Sequence, residues 1–165
     1  MKLEGSLINR LQENVEDCES IEVGMGATRY YYSDREPYEV VAVQDQKHIS
    51  VRRLDAIRTD KNGMSESQTY KFIQNENNEV INLVKRQNNW YEVTKFSKAD
   101  WLKRAHEKEN IERYGSEEHA YNYFLFMSRI SEQQYAAVAQ GKEVRRYTKM
   151  NIRIGYADKY YDFSF

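Results

Sequence analysis

Between residues 21 and 96, short runs rich in Tyr, Val and Ile are cut every few residues by turn-forming groups, a pattern that calls for a meander of strands. Val23-Gly24-Met25-Gly26-Ala27-Thr28 is a glycine-punctuated entry into Arg29-Tyr30-Tyr31-Tyr32, whose aromatic content predicts strand. Ser33-Asp34-Arg35-Glu36-Pro37 reads as a turn, because Pro37 has no N–H to give to a ladder. Further strands are expected over 38–43, 48–54, 68–73, 80–85 and 90–96. Asp45-Gln46-Lys47, Asn75-Glu76-Asn77-Asn78 and Asn88-Asn89 supply turns between them. Asp60-Lys61-Asn62-Gly63 is the strongest turn signal, since Asn-Gly tolerates the positive φ that tight turns demand. About six short strands in roughly 75 residues are spaced as in a small barrel or meander.

At Ser97 the period changes to that of helix. Ser97-Lys98-Ala99-Asp100 resembles a capping arrangement opening a Lys/Glu-rich helix that runs to about Arg113. Gly115-Ser116 restarts the chain, and Ala120, Tyr123, Phe124, Met127 and Ile130 form one apolar face. Ser131-Glu132-Gln133-Gln134 is a capping box, and Gly141 sits where a helix end favours glycine. From Val144 the pattern returns to strand, through Ile152-Arg153-Ile154-Gly155-Tyr156 to an aromatic terminus expected to be pinned into the sheet. Leu7, Leu11 and Val15 recur at helical spacing near the start, with Ser6 as cap. The fold class expected is α+β: a small antiparallel β-barrel or meander with an N-terminal helix and an inserted helical segment. A single domain is expected over 1–165: helix 1–20, β core 21–96, helical insertion 97–142 and completing strands 143–165.

Composition limits what such a fold can do. Charged residues make up 31% of the chain, yet 14 Tyr stand against 1 Pro, which is the balance of a folding chain rather than a disordered one. The net charge of -1 gives no global field for duplex DNA. Charge is uneven, however: residues 1–24 carry net -4, and residues 47–62 and 142–165 each carry net +3. Cys18 is the only cysteine, so no intrachain disulfide can form and a reducing compartment is expected. No secretory signal pattern or membrane-length apolar run is evident, which predicts a cytoplasmic protein without membrane contact.

Catalytic patterns are absent from the residues. Cys18 lies among Glu16, Asp17 and Glu19, the wrong field for a thiolate nucleophile. His48, His106 and His119 are scattered, and His106-Glu107 is followed at position 110 by Asn, not by the second His of a zinc helix. Gly24-Met25-Gly26 lacks the third glycine of a dinucleotide loop and precedes a strand. No cofactor, metal or catalytic set is therefore expected.

What does stand out is the interleaving of aromatic and cationic side chains on short strands, the arrangement with which sheets hold bases and phosphates. The candidate ligand-binding residues are Thr28, Tyr30, Tyr32, Ser33, Asp34, Arg35, Arg52, Asp60, Asn62, Met64, Ser65, Gln68, Trp90 and Tyr156. Turn chemistry accounts for Asp60, Asn62 and Gly63 but not for Met64, Ser65 and Gln68.

The segments Val23-Gly24-Met25-Gly26-Ala27-Thr28, Ser33-Asp34-Arg35, Asp60 through Gln68, Ile154-Gly155-Tyr156 and Tyr161-Asp162-Phe163 together resemble a widespread group of small phage and prophage proteins. The resemblance covers about 21–96 and 150–165 and leaves out the helices at 97–141. The pattern of 21–54 is also similar to SH3-like barrels. This resemblance implies a phage accessory protein acting in host takeover or counter-defence, in the cytoplasm of an infected or lysogenic bacterium. It transfers no biochemical activity.

Three readings follow. The first is a non-enzymatic binder of a nucleotide or nucleotide-derived small molecule, in one version sequestering a nucleotide immune signal. The second is an anti-CRISPR-like inhibitor that docks on a host defence protein through the helical insertion or the acidic first helix. The third is a single-stranded nucleic-acid binder. Tyr-rich strand edges could also pair between subunits, so a homo-oligomer fits the pattern.

Overall fold

Alternation of apolar and polar side chains builds the β part. A computed structural model describes residues 20–163. The expected helix over 6–17 and the residue Cys18 lie outside them. The strands are β1 (Gly26–Tyr30), β2 (Arg35–Asp45), β3 (His48–Arg53), β4 (Asp55–Arg58), β5 (Tyr70–Ile73), β6 (Val80–Arg86), β7 (Asn89–Phe96), β8 (Val144–Met150) and β9 (Ile152–Gly155). Seven of them form one sheet in the order β8-β7-β6-β3-β2-β1-β9, and β4 and β5 form a separate hairpin. β8 and β9 occupy opposite ends of that order, although only Asn151 separates them in sequence. One bent strand thus supplies both edges, and the antiparallel sheet curls to meet it.

Curling needs a strand that bends. β2 is the longest, and its register with β3 shifts between Val40 and Ala42 and again between Val43 and Asp45. Bulges of this kind raise the local twist. Inside the curl, every second residue is buried: Ile49 and Val51 on β3, Ile152 and Ile154 on β9. Cross-strand neighbours extend the row, with Ala27 opposite both Tyr38 and Ile154, Val40 opposite Val51, and Ile49 opposite Leu83. Ile21, Trp90 and Met150 complete this core. Each Val, Leu, Ile or Met among them contributes about 1.5–3 kcal/mol by leaving water.

At Gly26 two backbones approach closely. A Cβ there would lie 2.5 Å from the amide nitrogen of Ala157 and 2.9 Å from the carbonyl carbon of Tyr156. Gly155, paired with Gly26, has φ 145° and so lies in the region that L side chains rarely adopt.

Several boundaries differ from those read in the sequence. Tyr31 and Tyr32 fall outside β1, in the turn closed by the Tyr31 N–H on the Asp34 carbonyl at 2.9 Å. β2 starts at Arg35, not Tyr38, because Pro37 lies opposite Thr28 within the β1–β2 ladder. β4 was not expected at all. β3 stops at Arg53, buried Leu54 donates its N–H to the Pro37 carbonyl, and the chain leaves for the second sheet at Asp55. Asn62-Gly63 does not close a tight hairpin but sits within a long loop joining β4 to β5, where Gly63 has φ 60°.

That loop is anchored by one carboxylate. Asp60 accepts hydrogen bonds from Arg58 Nε (2.9 and 3.0 Å), the Asn62 N–H (2.9 Å) and the Thr69 N–H (2.7 Å). The Arg58 guanidinium and then the two amides hold its pKa far below the ordinary aspartate value. A depressed folded pKa adds stability that is complete above the unfolded value, about 3.9, and is lost as pH falls through the folded one. Asp60→Asn should therefore lower the urea midpoint at neutral pH, and the gap from wild type should close in strong acid. A gap that stays constant with pH would show that the charge on Asp60 contributes nothing.

The described residues divide into two compact units, one formed by the chain before Val93 and after Tyr147, the other by Val93–Tyr147. The second unit holds α1 (Lys98–His106), α2 (Lys108–Tyr114), α3 (Glu117–Met127) and α4 (Glu132–Ala139). The single helix expected from 98 to 113 is broken at Glu107, whose ψ of 127° is extended. Asn110 fills the break: its side-chain amide donates to the Arg104 carbonyl (2.8 Å) and to Glu107 Oε2 (3.0 Å). Ser97, Ser116 and Ser131 cap α1, α3 and α4, the last in a full capping box with Gln134. Trp101, Ala105, Ala120 and Val138 form the buried centre of this unit. Among the described residues no helix is long and apolar enough to cross a membrane.

Candidate functional site

In the β unit, most of the polar residues singled out in the sequence hold the fold together. Gln68 clasps the C-terminal segment: Nε2 donates to the Tyr161 carbonyl (2.7 Å) and Oε1 accepts from the Tyr161 N–H (3.1 Å) and the Tyr70 hydroxyl (2.7 Å). Asp34 Oδ1 accepts from the Asp162 N–H at 2.8 Å. Arg35 pairs its backbone with Tyr160, lies 3.1 Å from Asp158 and covers the Tyr160 ring at 5.0 Å. Asn62 Nδ2 donates to the Ser67 carbonyl, and Ser65 Oγ accepts from the Ser67 N–H. The 33–35 turn, the 60–68 loop and residues 158–162 are thus brought together, and the C-terminal segment is pinned by side chains and one isolated bridge rather than by a full strand.

A second group forms around Tyr156. Thr28 is fully buried and donates from Oγ1 to the Tyr156 carbonyl at 2.8 Å. Tyr30 is buried, and its hydroxyl lies 2.9 Å from that of Tyr156. Burial, and next the shared hydrogen bond, push the Tyr30 pKa well above its ordinary value. Arg153 covers the Tyr156 ring at 5.1 Å.

Besides Thr28 and Tyr30, three more of the expected ligand residues are buried or committed to partners within the fold. Trp90 is 2% exposed and packs in the core. Arg52 donates from Nη2 to buried Glu39 at 3.0 Å, and Gln74 supplies that carboxylate's other partner at 2.7 Å. A buried carboxylate needs such partners, which commits the guanidinium. Ser33 is buried in its turn. Tyr32 and Met64 remain on the surface, Met64 at 74% exposure.

The helical unit presents a different situation. The end of β7 and the first helix border an open cleft of about 330 Å³, lined by Thr94, Lys95, Phe96, Asp100, Trp101, Lys103, Arg104 and Glu107. Ser97 starts α1 between the strand residues and the helical ones, and Trp101 packs on Phe96 with ring centroids 5.9 Å apart. Arg146 covers the Phe96 ring at 5.2 Å. The two carboxylates of the lining are engaged: Asp100 Oδ2 accepts from the Ser97 hydroxyl at 2.6 Å, and Glu107 Oε2 from Asn110 at 3.0 Å. Lys95, Lys103 and Arg104 have no side-chain hydrogen bond or ion pair among the described residues, whereas Arg35, Arg52, Arg58 and Lys159 each have a carboxylate. Lys103 and Arg104 are not singled out in the sequence because a Lys/Glu-rich helix looks like a solvated face. The available signal was Lys95 beside Phe96 on a strand, one turn before Trp101.

An apolar groove of about 640 Å³ lies elsewhere on the same unit, bordered by Leu125, Phe126, Met127, Ile130 and Tyr135. Phe126 is 79% exposed. No group of three or more His, Cys, Asp or Glu able to hold a metal occurs among the described residues. The chain matches no family model, no curated protein and no solved structure.

Proposed function

We propose that this protein is a non-catalytic binder of an anionic, nucleotide-type ligand, and that the ligand sits in the cavity between β7 and α1. One observation carries the reading: three cations without partners among the described residues line one cleft, while the carboxylates beside them are held by Ser97 and Asn110. A phosphate placed among Lys95, Lys103 and Arg104 would gain charge-assisted hydrogen bonds worth about 1.5–3 kcal/mol each. Asp100 and Glu107 retain acceptor capacity for the amino edge of a base. The site first sought on the sheet thereby moves to the helical unit. In the phage setting that the sequence resemblance implies, such a protein would sequester a nucleotide signal on a curled-sheet scaffold. That scaffold is read as SH3-like because its last strand returns to pair with its first.

Calorimetric titration with AMP and with adenosine tests this. AMP should bind at least tenfold more tightly than adenosine, which corresponds to about 1.4 kcal/mol. Lys103→Ala with Arg104→Ala should remove most of that difference, leaving the thermal melt unchanged because both side chains are exposed and unpaired. Equal binding of AMP and adenosine, or no binding of either, would overturn the assignment and move attention to the apolar groove.

A further inference from the structure

The second half of α3 is apolar on both of its faces. Between Ala120 and Met127, Asn122 is the one residue outside the apolar and aromatic set, and none is charged. The inward face is satisfied within the helical unit: Tyr121 meets Trp101 edge-on at 6.4 Å, Phe124 meets Tyr114 at 5.8 Å, and Ala120 is fully buried. The other face carries Phe126 and Met127, and α4 adds Tyr135 to the same groove, at 79, 45 and 50% exposure. A helix that is apolar all round is normally covered all round. Phe126 and Tyr135 alone leave about 200–300 Å² of ring in water, close to the few hundred Å² that monomeric proteins rarely exceed in one patch. We infer that a second copy of this chain covers the groove, through a two-fold contact in which Phe126 of each copy enters the groove of the other.

Shape and charge select that occupant. The patch supplies both halves of a contact: an exposed ring and, beside it, a groove of about 640 Å³ walled by Leu125, Ile130 and Tyr135. A surface that holds knob and hole together is self-complementary, as a two-fold interface requires. Arg129 and Glu132 also line the groove; both are exposed, and neither side chain has a hydrogen bond or ion pair among the described residues. A two-fold sets Arg129 of one copy toward Glu132 of the other, and the reverse, so charges left over in one chain are paired in two. A uniformly acidic occupant, such as the chain's own residues 1–24 at net -4, would meet Glu132 as well as Arg129. The chain's net charge of -1 puts little long-range repulsion between copies. The turn that presents Arg129 is held in place beforehand: Ser128 is buried, its hydroxyl donates to the Leu125 carbonyl at 2.6 Å, and its own carbonyl accepts from Arg146 Nη1 at 2.5 Å. A preformed surface loses less freedom on association.

This contact uses neither the strand edges that the sequence offers for pairing nor any residue lining the nucleotide cleft, so it is independent of that reading. Sedimentation velocity of the full chain from about 1 to about 100 µM tests it, and the mass should rise from one chain to two. Phe126→Asp, at a side chain too exposed to matter for the fold, should raise the dissociation constant about tenfold or more. Arg129→Glu and Glu132→Arg should each weaken the dimer about fivefold by setting like charges opposite, and the two together should restore it. A single-chain mass at every concentration would overturn the inference and leave the groove to a foreign peptide or an apolar small molecule. A dimer untouched by Phe126→Asp would overturn it in favour of the strand edges, and so would charge reversals that fail to rescue each other.

Discussion

Replacing Trp90 by Ala is expected to cost about 3–5 kcal/mol of unfolding free energy, the range for deleting a large aromatic from a packed interior. The side chain is 2% exposed and belongs to the cluster formed by Leu83, Val51, Ile49 and the β9 isoleucines. It enters that cluster from the start of β7, where Asn89 pairs with Arg86 and the chain turns through Gln87 and Asn88, both at positive φ. The neighbours come from several strands and cannot all collapse into the space left behind, so a cavity remains. A domain of this size is stable by about 5–15 kcal/mol, so the variant would sit near the edge of folding at 37 °C. Urea denaturation followed by tyrosine fluorescence provides the measurement. A loss under 1 kcal/mol would mean that Trp90 is not in the core.

Gly26→Ala is the second large effect, at about 3 kcal/mol, the upper end of the range for forcing a methyl group into a filled site. The added Cβ would meet main-chain atoms of Tyr156 and Ala157 at 2.9 and 2.5 Å, and main chain cannot rotate away as a side chain can. Relief would require β1 and β9 to separate, which would strain the Ala27–Ile154 and Thr28–Arg153 pairs and the Thr28 hydroxyl bond to Tyr156. The urea midpoint should fall while its slope stays constant, because the same surface is exposed on unfolding. A wild-type midpoint would show that β1 and β9 are not in close contact at Gly26.

These two residues also show how far the sequence could be read. Turn chemistry and capping are local, so the meander, the helix start at Ser97, the capping box at Ser131 and the position of the helices between two strands could all be read along the chain. Partners distant in sequence could not. Trp90 and Arg52 fit a stacking surface by residue type alone. Only the folded chain sets Trp90 against Ile49 and places Glu39 beside Arg52 across the β2–β3 ladder. Gln68, Asp34 and Arg35 are candidate ligand residues by residue type, and their partners at Tyr161, Asp162 and Tyr160 lie more than 90 residues away. β4 was missed because Asp55-Ala56-Ile57-Arg58 has neither alternation nor β-branched density. Lys103 and Arg104 sit in a run of charges whose bias shows only when Asp100 and Glu107 are seen turned toward Ser97 and Asn110.

Amide chemical-shift mapping of the labelled protein during addition of AMP tests directly where the ligand binds. The largest changes should cluster from Thr94 to Glu107, around the cavity of β7 and α1, and should weaken as salt is raised. Changes centred on Tyr32, Arg35, Gln68 and Tyr156, with 94–107 unmoved, would contradict it and return the site to the sheet.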